Sequence, residues 1–331
     1  MLLTCRTPLR ISFFGGGTDY PEYIEQNRGA VLGMAIDKHI YISALKLGAF
    51  LDYKYRVSYS RHERVQSIAE IEHPVVRAVL NHYGVEQPLD ISVLSDLPAR
   101  SGLGSSSSFT VGFLNLVAKI LDLRFTKYDL AEKAIFVERT LLRENVGLQD
   151  QYHASFGGIN RFDFLPGNRT QISPVRISGG TLEILSQTLF LVFTGIARFA
   201  SDTLDEQIEK TKRKTISGAL EHMLTLTDQA VGVLESENPA QMLVDLGAML
   251  HEGWETKRGL SQKVSNSTID DLYATARKHG ALGGKLCGAG GGGFFLLLVP
   301  PQARQAVTAA LSPLKMIPLR IDTGGSTLIY S

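Results

Sequence analysis

Cysteine is scarce in this chain of 331 residues: only Cys5 and Cys287 occur, far apart in the sequence. Two isolated thiols build neither a disulfide framework nor a zinc cluster, so both are predicted to be reduced and packed. The longest apolar run, residues 294–299, is too short to cross a bilayer. The first ten residues carry two arginines and no signal-peptide pattern. We therefore expect a cytoplasmic protein that has no membrane partner.

No sign of charge dominates either, because 34 basic residues face 33 acidic ones. A chain without a net field has little reason to bind nucleic acid, so a small molecule is the expected partner. Its length and its 44% hydrophobic content suit two domains. The sequence leaves the oligomeric state open, a homo-oligomer included.

Several motifs of common enzyme classes are missing. A Walker A loop fails because Lys285 is followed by Leu286 instead of Ser or Thr. No Gly-x-Ser-x-Gly elbow occurs, and His251 lacks the second His of a zinc-protease helix. Residues 288–293 match the dinucleotide glycine pattern formally but run into a predicted strand, which argues against a Rossmann domain. The P-loop class is excluded, and hydrolase and NAD-dependent readings are weakened.

The distribution of strand and helix patterns predicts an α+β fold with a mixed sheet in its first half. β-rich patterns occur at residues 9–14, 30–36, 40–47 and 89–94. A helix follows the Gly/Ser stretch, and Thr126 with Asp129 predicts a capping box for a second one. Turn residues are concentrated in residues 163–180, so we place a domain junction near residue 175. The predicted domains are therefore 1–175 and 176–331.

The second half reads as mostly helical between short strands. We expect a strand at Leu189–Phe193, about a hundred largely helical residues, and then a strand at residues 294–299. A helix at residues 302–311 and strands at 316–321 and 326–330 end the chain.

The most informative segment is the loop of residues 98–108, between a strand and an amphipathic helix. Glycines let the backbone approach a ligand, a helix N-terminus presents free N–H groups, and serines add hydroxyls. We therefore predict a phosphate site there. The alternative is a plain serine-capped helix end. The predicted phosphate ligands are Gly102, Leu103, Gly104, Ser105, Ser106 and Ser107.

A second glycine loop follows the first strand and contains Gly16, Gly17, Thr18 and Asp19. A short acid on a glycine turn suits a polyol substrate, although Asp19 holding its own backbone is a fair alternative. The late glycine run can pack against another loop or a ligand, or serve as a hairpin connection.

Two acidic residues are candidates for chemistry. Glu138 shares an apolar helical stripe, so it needs a partner; a salt bridge to a nearby Arg, or a position at the stripe's edge, is the alternative to a functional role. Asp150 begins a segment before a Gly-Gly pair, where a helix N-terminal acid is the ordinary explanation.

Together the three loops resemble, in order, the three motifs of the GHMP superfamily of kinases. The resemblance implies a two-domain kinase that uses ATP and Mg²⁺, with the active site between the domains. It implies that Ser106 and Glu138 hold the metal, that Asp150 is the base, and that Arg10 supports it. Gly290 and Gly291 are then expected at the substrate.

Residues 6–21 look like the opening of bacterial D-glycero-D-manno-heptose 7-phosphate kinases. They depart from galactokinases, which carry Glu and His where this chain has Gly16 and Gly17. The implied acceptor is a sugar phosphate, phosphorylated on its anomeric hydroxyl. Because Asp19 repels a phosphate, a separate cation is required, and Arg198 is the candidate, with pairing to a structural acid as its alternative. A fucose or hexose kinase and an inactive sugar sensor remain the competing hypotheses.

Overall fold

The computed structural model describes residues 2–48, 51–167, 169–196 and 201–330. Its strands, in chain order, are β1 (Leu2–Phe14), β2 (Gly29–Lys46), β3 (Tyr55–Ser58), β4 (His62–Val65), β5 (Leu89–Ser95), β6 (Ile159–Leu165), β7 (Arg169–Pro174), β8 (Leu189–Phe193), β9 (Gly283–Leu286), β10 (Phe294–Leu298), β11 (Met316–Pro318) and β12 (Thr327–Tyr330). They form two sheets.

The helices are α1 (Pro21–Ile24), α2 (Pro74–His82), α3 (Ser105–Ile120), α4 (Lys127–Ile135), α5 (Gln149–Phe156), α6 (Gly179–Thr188), α7 (Ser201–Lys212), α8 (Ser217–Leu234), α9 (Pro239–Arg258), α10 (Ser267–Lys278) and α11 (Arg304–Ala310). Short 3₁₀ turns lie at Ile68–Glu70 and Pro301–Ala303, and a π-helical turn, Phe136–Leu141, continues α4. The predicted capping box of α4 is present, with Thr126 and Asp129 bonding each other's backbone N–H groups. In the described part of the chain, no helix combines the length and apolar character that a membrane crossing needs.

The first sheet runs in the order β12-β1-β2-β5-β3-β4, with β6 and β7 added beside β2. It is mixed, because β3 pairs with β5 in parallel and the other pairs are antiparallel. Helices α3, α4 and α5 pack beside it. This mixed sheet and the helix-rich second half make the α+β fold that the sequence predicts.

One long β2 replaces the two strands predicted at residues 30–36 and 40–47. Ile36 pairs with Leu9 and His39 pairs with Pro8, so two polar residues bulge out between them. Proline has no N–H to donate to the ladder, which is why a bulge at Pro8 is tolerated. The polar interruption in the sequence is therefore a bulge instead of a strand end.

The second sheet, β11-β8-β10-β9, is entirely antiparallel. The turn-rich segment 163–180 was expected to be a junction, but β6 and β7 pair as a hairpin across much of it. The chain also returns to the first sheet at its end, since β12 pairs with β1. The division into 1–175 and 176–331 stays a prediction, and the last strand lies with the first sheet.

Candidate active site

A cleft of about 290 Å³ lies where the two halves of the chain meet. Its walls come from the ends of β1 and β9, the first turns of α3 and α5, the helices α7 and α9, and the three glycine loops. The lining includes most of the residues selected from the sequence, namely Arg10, Gly16, Gly17, Asp19, Gly102, Gly104, Ser105, Ser106, Ser107, Asp150 and Gly290.

The N-terminus of α3 opens into this cleft. Its N-cap is Gly104, with φ 73° and ψ 24°, and no side chain caps the first turn. Glycine adopts this left-handed conformation without strain. The free N–H groups, the partial positive charge of the helix and the exposed hydroxyl of Ser106 therefore remain for an anion. This geometry suits the triphosphate of a nucleotide.

The late glycine loop packs directly against the phosphate loop. A Cβ added to Gly288 would lie 2.6 Å from the Cα of Gly102, and one added to Gly102 would lie 2.5 Å from the carbonyl oxygen of Cys287. Only glycine permits backbones to approach so closely. The glycine run therefore does more than connect β9 to β10, because it also packs against and supports the phosphate loop.

Arg10 and Asp150 form a two-pronged ion pair at the floor of the cleft. Arg10 Nε donates to Asp150 Oδ1 and Arg10 Nη2 donates to Asp150 Oδ2, each at 2.7 Å. Arg10 Nη1 donates to the carbonyl of Gly102 at 2.7 Å. The backbone N–H of Arg10 donates to the carbonyl of Leu103. Burial would lower the pKa of Arg10, but the charge and hydrogen bonds of Asp150 leave it raised. Asp150 keeps partial solvent access at the cleft, with about a quarter of its side chain exposed.

Glu138 lies on the π-helical turn, a form often found at functional sites, and its side chain is fully buried. Its Oε2 accepts hydrogen bonds from Ser107 Oγ at 3.0 Å and Gln151 Nε2 at 2.5 Å. Its Oε1 has no partner within the described residues. Burial raises the pKa of Glu138 to about 7. The salt bridge that was the alternative for Glu138 does not form: both partners of the carboxylate are neutral.

These residues fit a divalent cation. An unpartnered, buried carboxylate oxygen close to the start of α3 is a hard ligand that a cation would satisfy. The serine in contact with Glu138 is Ser107, whereas the predicted metal ligand Ser106 lies exposed at the cleft one residue earlier. The described residues contain no group of three or more acidic, His or Cys side chains arranged for a metal. A cation here would therefore take most of its ligands from nucleotide phosphates and water, as Mg²⁺ usually does.

Asp19 also lines the cleft, close enough to Arg10 and Asp150 for their charges to interact, and is completely buried. Its Oδ1 accepts from Gly17 N–H at 3.0 Å, and its Oδ2 accepts from Gln149 Nε2 at 3.0 Å. Burial raises the pKa of Asp19, with the hydrogen bonds acting against it. Gly147 leaves room for this carboxylate, since a Cβ there would lie 2.2 Å from Asp19 Oδ2. Asp19 thus holds its own loop, as the alternative reading had it, and also lines the cleft.

Besides the fully buried Glu138, three residues predicted for binding lie away from the lining. The Thr18 hydroxyl is fully buried and lies within donating distance of the carbonyl oxygens of Gly15 and Ala30. It therefore holds the loop against β2. Leu103 points into the core, and Gly291 donates its N–H to the carbonyl of Val264. In this structure these three shape the loops without facing the cleft.

Arg198, the predicted ligand of a distal phosphate, lies outside the described residues.

Several lining residues were not selected from the sequence. They are Ser12, Tyr20, Arg100, Val146, Gly147, Gln149, Gln207, Lys257, Leu260, Lys285, Cys287, Gly288, Ala289 and Gly292. Gln149 adjoins the predicted base, and Lys285 lies just before the late glycine run, so proximity to motifs was a usable signal for both. Lys257 and Gln207 lie within long helices, where no local pattern separates them from surface residues.

Comparison with known proteins agrees with this geometry. Residues 68–158 match the model of the GHMP kinases N terminal domain, and residues 237–315 match that of the GHMP kinases C terminal domain. The chain is 32% identical over 321 residues to D-glycero-alpha-D-manno-heptose 7-phosphate kinase from Campylobacter jejuni, covering 92% of each protein. It is 26% identical to a bifunctional fucokinase/GDP-fucose pyrophosphorylase from Arabidopsis thaliana, covering 86% of this chain and 28% of that protein.

Solved structures share the fold. A D-glycero-D-manno-heptose 1-phosphate kinase from Bacteroides thetaiotaomicron superposes with a TM-score of 0.80 at 23% identity, over all of both chains. Galactokinase from Lactococcus lactis, solved with galactose, gives a TM-score of 0.74 at 18% identity, covering 98% of this chain and 95% of that one. Both family models, the heptose kinase relative and the open phosphate cleft agree: this chain belongs to the GHMP kinases and is an ATP-dependent carbohydrate kinase.

Proposed function

We propose that this kinase phosphorylates the anomeric hydroxyl of D-glycero-D-manno-heptose 7-phosphate. The product is the 1,7-bisphosphate, a precursor for nucleotide-activated heptose. The observation that carries the proposal is the identity of 32% along 92% of the chain to a protein of that name. The opening motif, with Gly16 and Gly17 in place of the galactokinase Glu and His, supports it independently.

In the proposed reaction the acceptor oxygen attacks the γ-phosphorus of ATP while the bond to the β,γ-bridging oxygen breaks. Asp150 takes the proton of the hydroxyl, and ADP leaves. The Arg10 guanidinium holds Asp150 at 2.7 Å through both oxygens, which fixes its orientation at the cleft.

Ser106 and Glu138 would hold Mg²⁺, which when bound neutralises phosphate charge. The unpartnered Oε1 of Glu138 supports this assignment, and Ser107 and Gln151 fix the other oxygen. The N–H groups at the start of α3 bind phosphate oxygens in the same region.

Asp19 and Gln149 are proposed to bind the hydroxyls of the sugar. Both are buried against each other, and both line the cleft beside Gly147. A carboxylate that accepts hydroxyl hydrogen bonds gives specificity for a polyol. Arg198 is proposed for the 7-phosphate, because Asp19 repels a second anion.

An ADP-release assay over a panel of sugars and sugar 7-phosphates tests the assignment. D-glycero-D-manno-heptose 7-phosphate should give the highest kcat/KM, well above D-mannose, L-fucose, D-galactose and the unphosphorylated heptose. A preference for L-fucose would instead favour the fucokinase reading, which the match to bifunctional fucokinases supports. Binding of ATP and sugar without ADP release would indicate a sensor.

A further inference from the structure

Two lysines line the cleft, and neither has an acidic partner among the described residues. Lys257 lies on α9 and Lys285 on β9, and the two residues are only 9% and 6% exposed. Within the described part of the chain, the charged groups that act on them are Arg10, Cys287 and, for Lys257, Lys285; no carboxylate is among them. A buried cation with no counter-charge is costly, so it either loses its proton or is stabilised by a bound anion that supplies the missing negative charge.

Their hydrogen bonds leave donors free. Lys257 Nζ donates to the carbonyls of Leu286 at 2.9 Å and Gly288 at 2.5 Å, and Lys285 Nζ donates to the carbonyl of Phe13 at 2.9 Å. An ammonium group has three N–H donors. Lys257 therefore keeps one donor and Lys285 keeps two that no described residue accepts, on side chains that face the cleft.

The charges of the cleft do not balance. Its lining brings the three cationic side chains of Arg10, Lys257 and Lys285 together with the two carboxylates of Asp19 and Asp150, while Arg100, also in the lining, has interactions of its own. The carboxylate of Asp150 is already paired with Arg10 through both oxygens. An excess of positive charge in a buried cleft is matched to an anion, and phosphoryl transfer develops its charge on the oxygens of the moving group.

Position favours the transferred phosphoryl group over any other anion. Lys257 holds Gly288, whose Cα packs on that of Gly102 in the phosphate loop. The carbonyl of Gly102 in turn accepts from Arg10, which holds Asp150. Lys257 is thus connected through direct contacts to both the phosphate loop and the proposed base, and Lys285 lines the same cleft close enough for its charge to act on Lys257.

We propose that Lys257 and Lys285 are catalytic residues that bind the oxygens of the phosphoryl group during its transfer. The γ-phosphorus forms a bond to the acceptor oxygen and loses its bond to the β,γ-bridging oxygen, while the acceptor proton goes to Asp150. The lysines neither gain nor lose a proton in this step; their charge faces the three oxygens that pass from ATP to the sugar. The proposal rests on the kinase reaction of the family and not on which sugar is the acceptor.

Binding of nucleotides alone tests the proposal without any sugar. Lys257→Met and Lys285→Met keep the side-chain length and remove the charge. Calorimetric titration should show affinity for the β,γ-imido analogue of ATP falling by about tenfold to a hundredfold, because a charge-assisted hydrogen bond to the γ-phosphate is lost. Affinity for ADP should change by less than about twofold.

Lys210→Met is the matched control. Lys210 Nζ also donates to a backbone carbonyl, that of Leu260 at 3.0 Å, but it pairs with Glu206 at 2.8 Å and is partly exposed. Its loss should leave both affinities and kcat unchanged. Lys257→Arg and Lys285→Arg keep the charge and should recover part of the lost kcat, which a purely structural role would not require.

The pH profile gives a second readout. Burial, with the nearby charges of Lys285 and Arg10, lowers the pKa of Lys257 to about 7, and burial with Arg10 lowers that of Lys285 to about 8; Cys287 acts in the opposite direction on both. Since only the protonated lysine attracts phosphate, kcat/KM for ATP should fall as the pH rises above this range. In the Arg variants the fall should move to higher pH.

Three results would overturn the proposal. Equal losses of ADP and imido-ATP affinity in the Met variants would mean that the lysines only support the glycine loop. A raised KM confined to phosphorylated sugars, with imido-ATP binding intact, would place them at the acceptor's own phosphate. If the Met variants do not fold, the Arg variants provide the test. Arg variants that fold, bind imido-ATP normally and show an unshifted pH profile would mean that the lysines do not bind the transferred group.

Discussion

The burial of Glu138, which the metal assignment uses, predicts that Glu138→Gln changes how the free energy of unfolding depends on pH. In the protein without metal, burial raises the pKa of Glu138 from 4.5 to about 7. The folded state therefore binds more protons than the unfolded state between these two values. The stabilisation from this carboxyl is complete below its unfolded pKa and is lost as the pH rises through about 7.

The magnitude follows from the shift. Each pKa unit corresponds to about 1.4 kcal/mol, so ionised Glu138 costs the metal-free fold about 3 kcal/mol at pH 8, of which about 2.5 kcal/mol develops between pH 5 and pH 8. Ser107 and Gln151 can still donate to the new amide oxygen, since both bond to Oε2. The amide NH₂ replaces an oxygen that has no partner, which costs about 1–3 kcal/mol at every pH. The change with pH is therefore the informative quantity.

Denaturant unfolding in EDTA at pH 5 to 8 measures how this stability difference changes with pH. The free energy of unfolding of Glu138→Gln minus that of the wild type should rise by about 2.5 kcal/mol over this range. Glu237→Gln, at an exposed position, serves as control and should show no such rise. Addition of Mg²⁺ with imido-ATP at pH 8 should stabilise the wild type far more than Glu138→Gln, because a ligand stabilises the state that binds it. Parallel stability curves for the wild type and Glu138→Gln would refute the reasoning.

Three further predictions concern the reaction and its loops. Asp150→Asn should lower kcat by roughly a hundredfold or more while ATP affinity measured by titration stays similar, because the proton acceptor is lost but the phosphate site is not; a variant that keeps most of its kcat would show that no base is needed. Arg198→Ala should raise KM for the heptose 7-phosphate far more than for unphosphorylated sugars and leave KM for ATP nearly unchanged, whereas equal losses would remove it from the phosphate site. Gly102→Ala should lower both Tm and ATP affinity, because φ is 79° at this position and the new Cβ would lie 2.5 Å from the Cys287 carbonyl oxygen. Gly84→Ala is the control: its φ is 62° but the space around it is open, so only the smaller conformational cost is expected. Equal effects of the two substitutions would contradict the close packing of the loops.

Much of the fold was predictable because local patterns agree with the tertiary structure. β8 matches its predicted bounds, and the capping box of α4 was readable from Thr126 and Asp129. The single long β2 was not, since a polar pair inside a strand looks the same in sequence whether it bulges or ends the strand. The return of β12 to β1 depends on contacts between the two ends of the chain, which no local pattern records.

The site followed a similar division. Glycine and serine loops are visible in a sequence, and most of the residues predicted from the Gly/Ser loop line the cleft, as does Asp150. Their roles stay predictions. The assignment of Ser106 and Glu138 to a metal stays a prediction, and the structure adds that Ser107 Oγ donates to the Glu138 carboxylate. This contact depends on how α3 packs against the π-helical turn, which no local pattern records. Lys257 was missed because a buried lysine in a helix resembles a surface lysine until the neighbouring elements are packed around it.

The most direct test of the central claim is the structure of the product. Incubated with ATP, Mg²⁺ and D-glycero-D-manno-heptose 7-phosphate, the enzyme should yield a compound whose new ³¹P resonance couples to the anomeric proton, with the original 7-phosphate resonance retained. The coupling pattern of the anomeric proton also gives the anomer. A new phosphate on any other carbon, or turnover only with sugars that lack the 7-phosphate, would contradict the assignment.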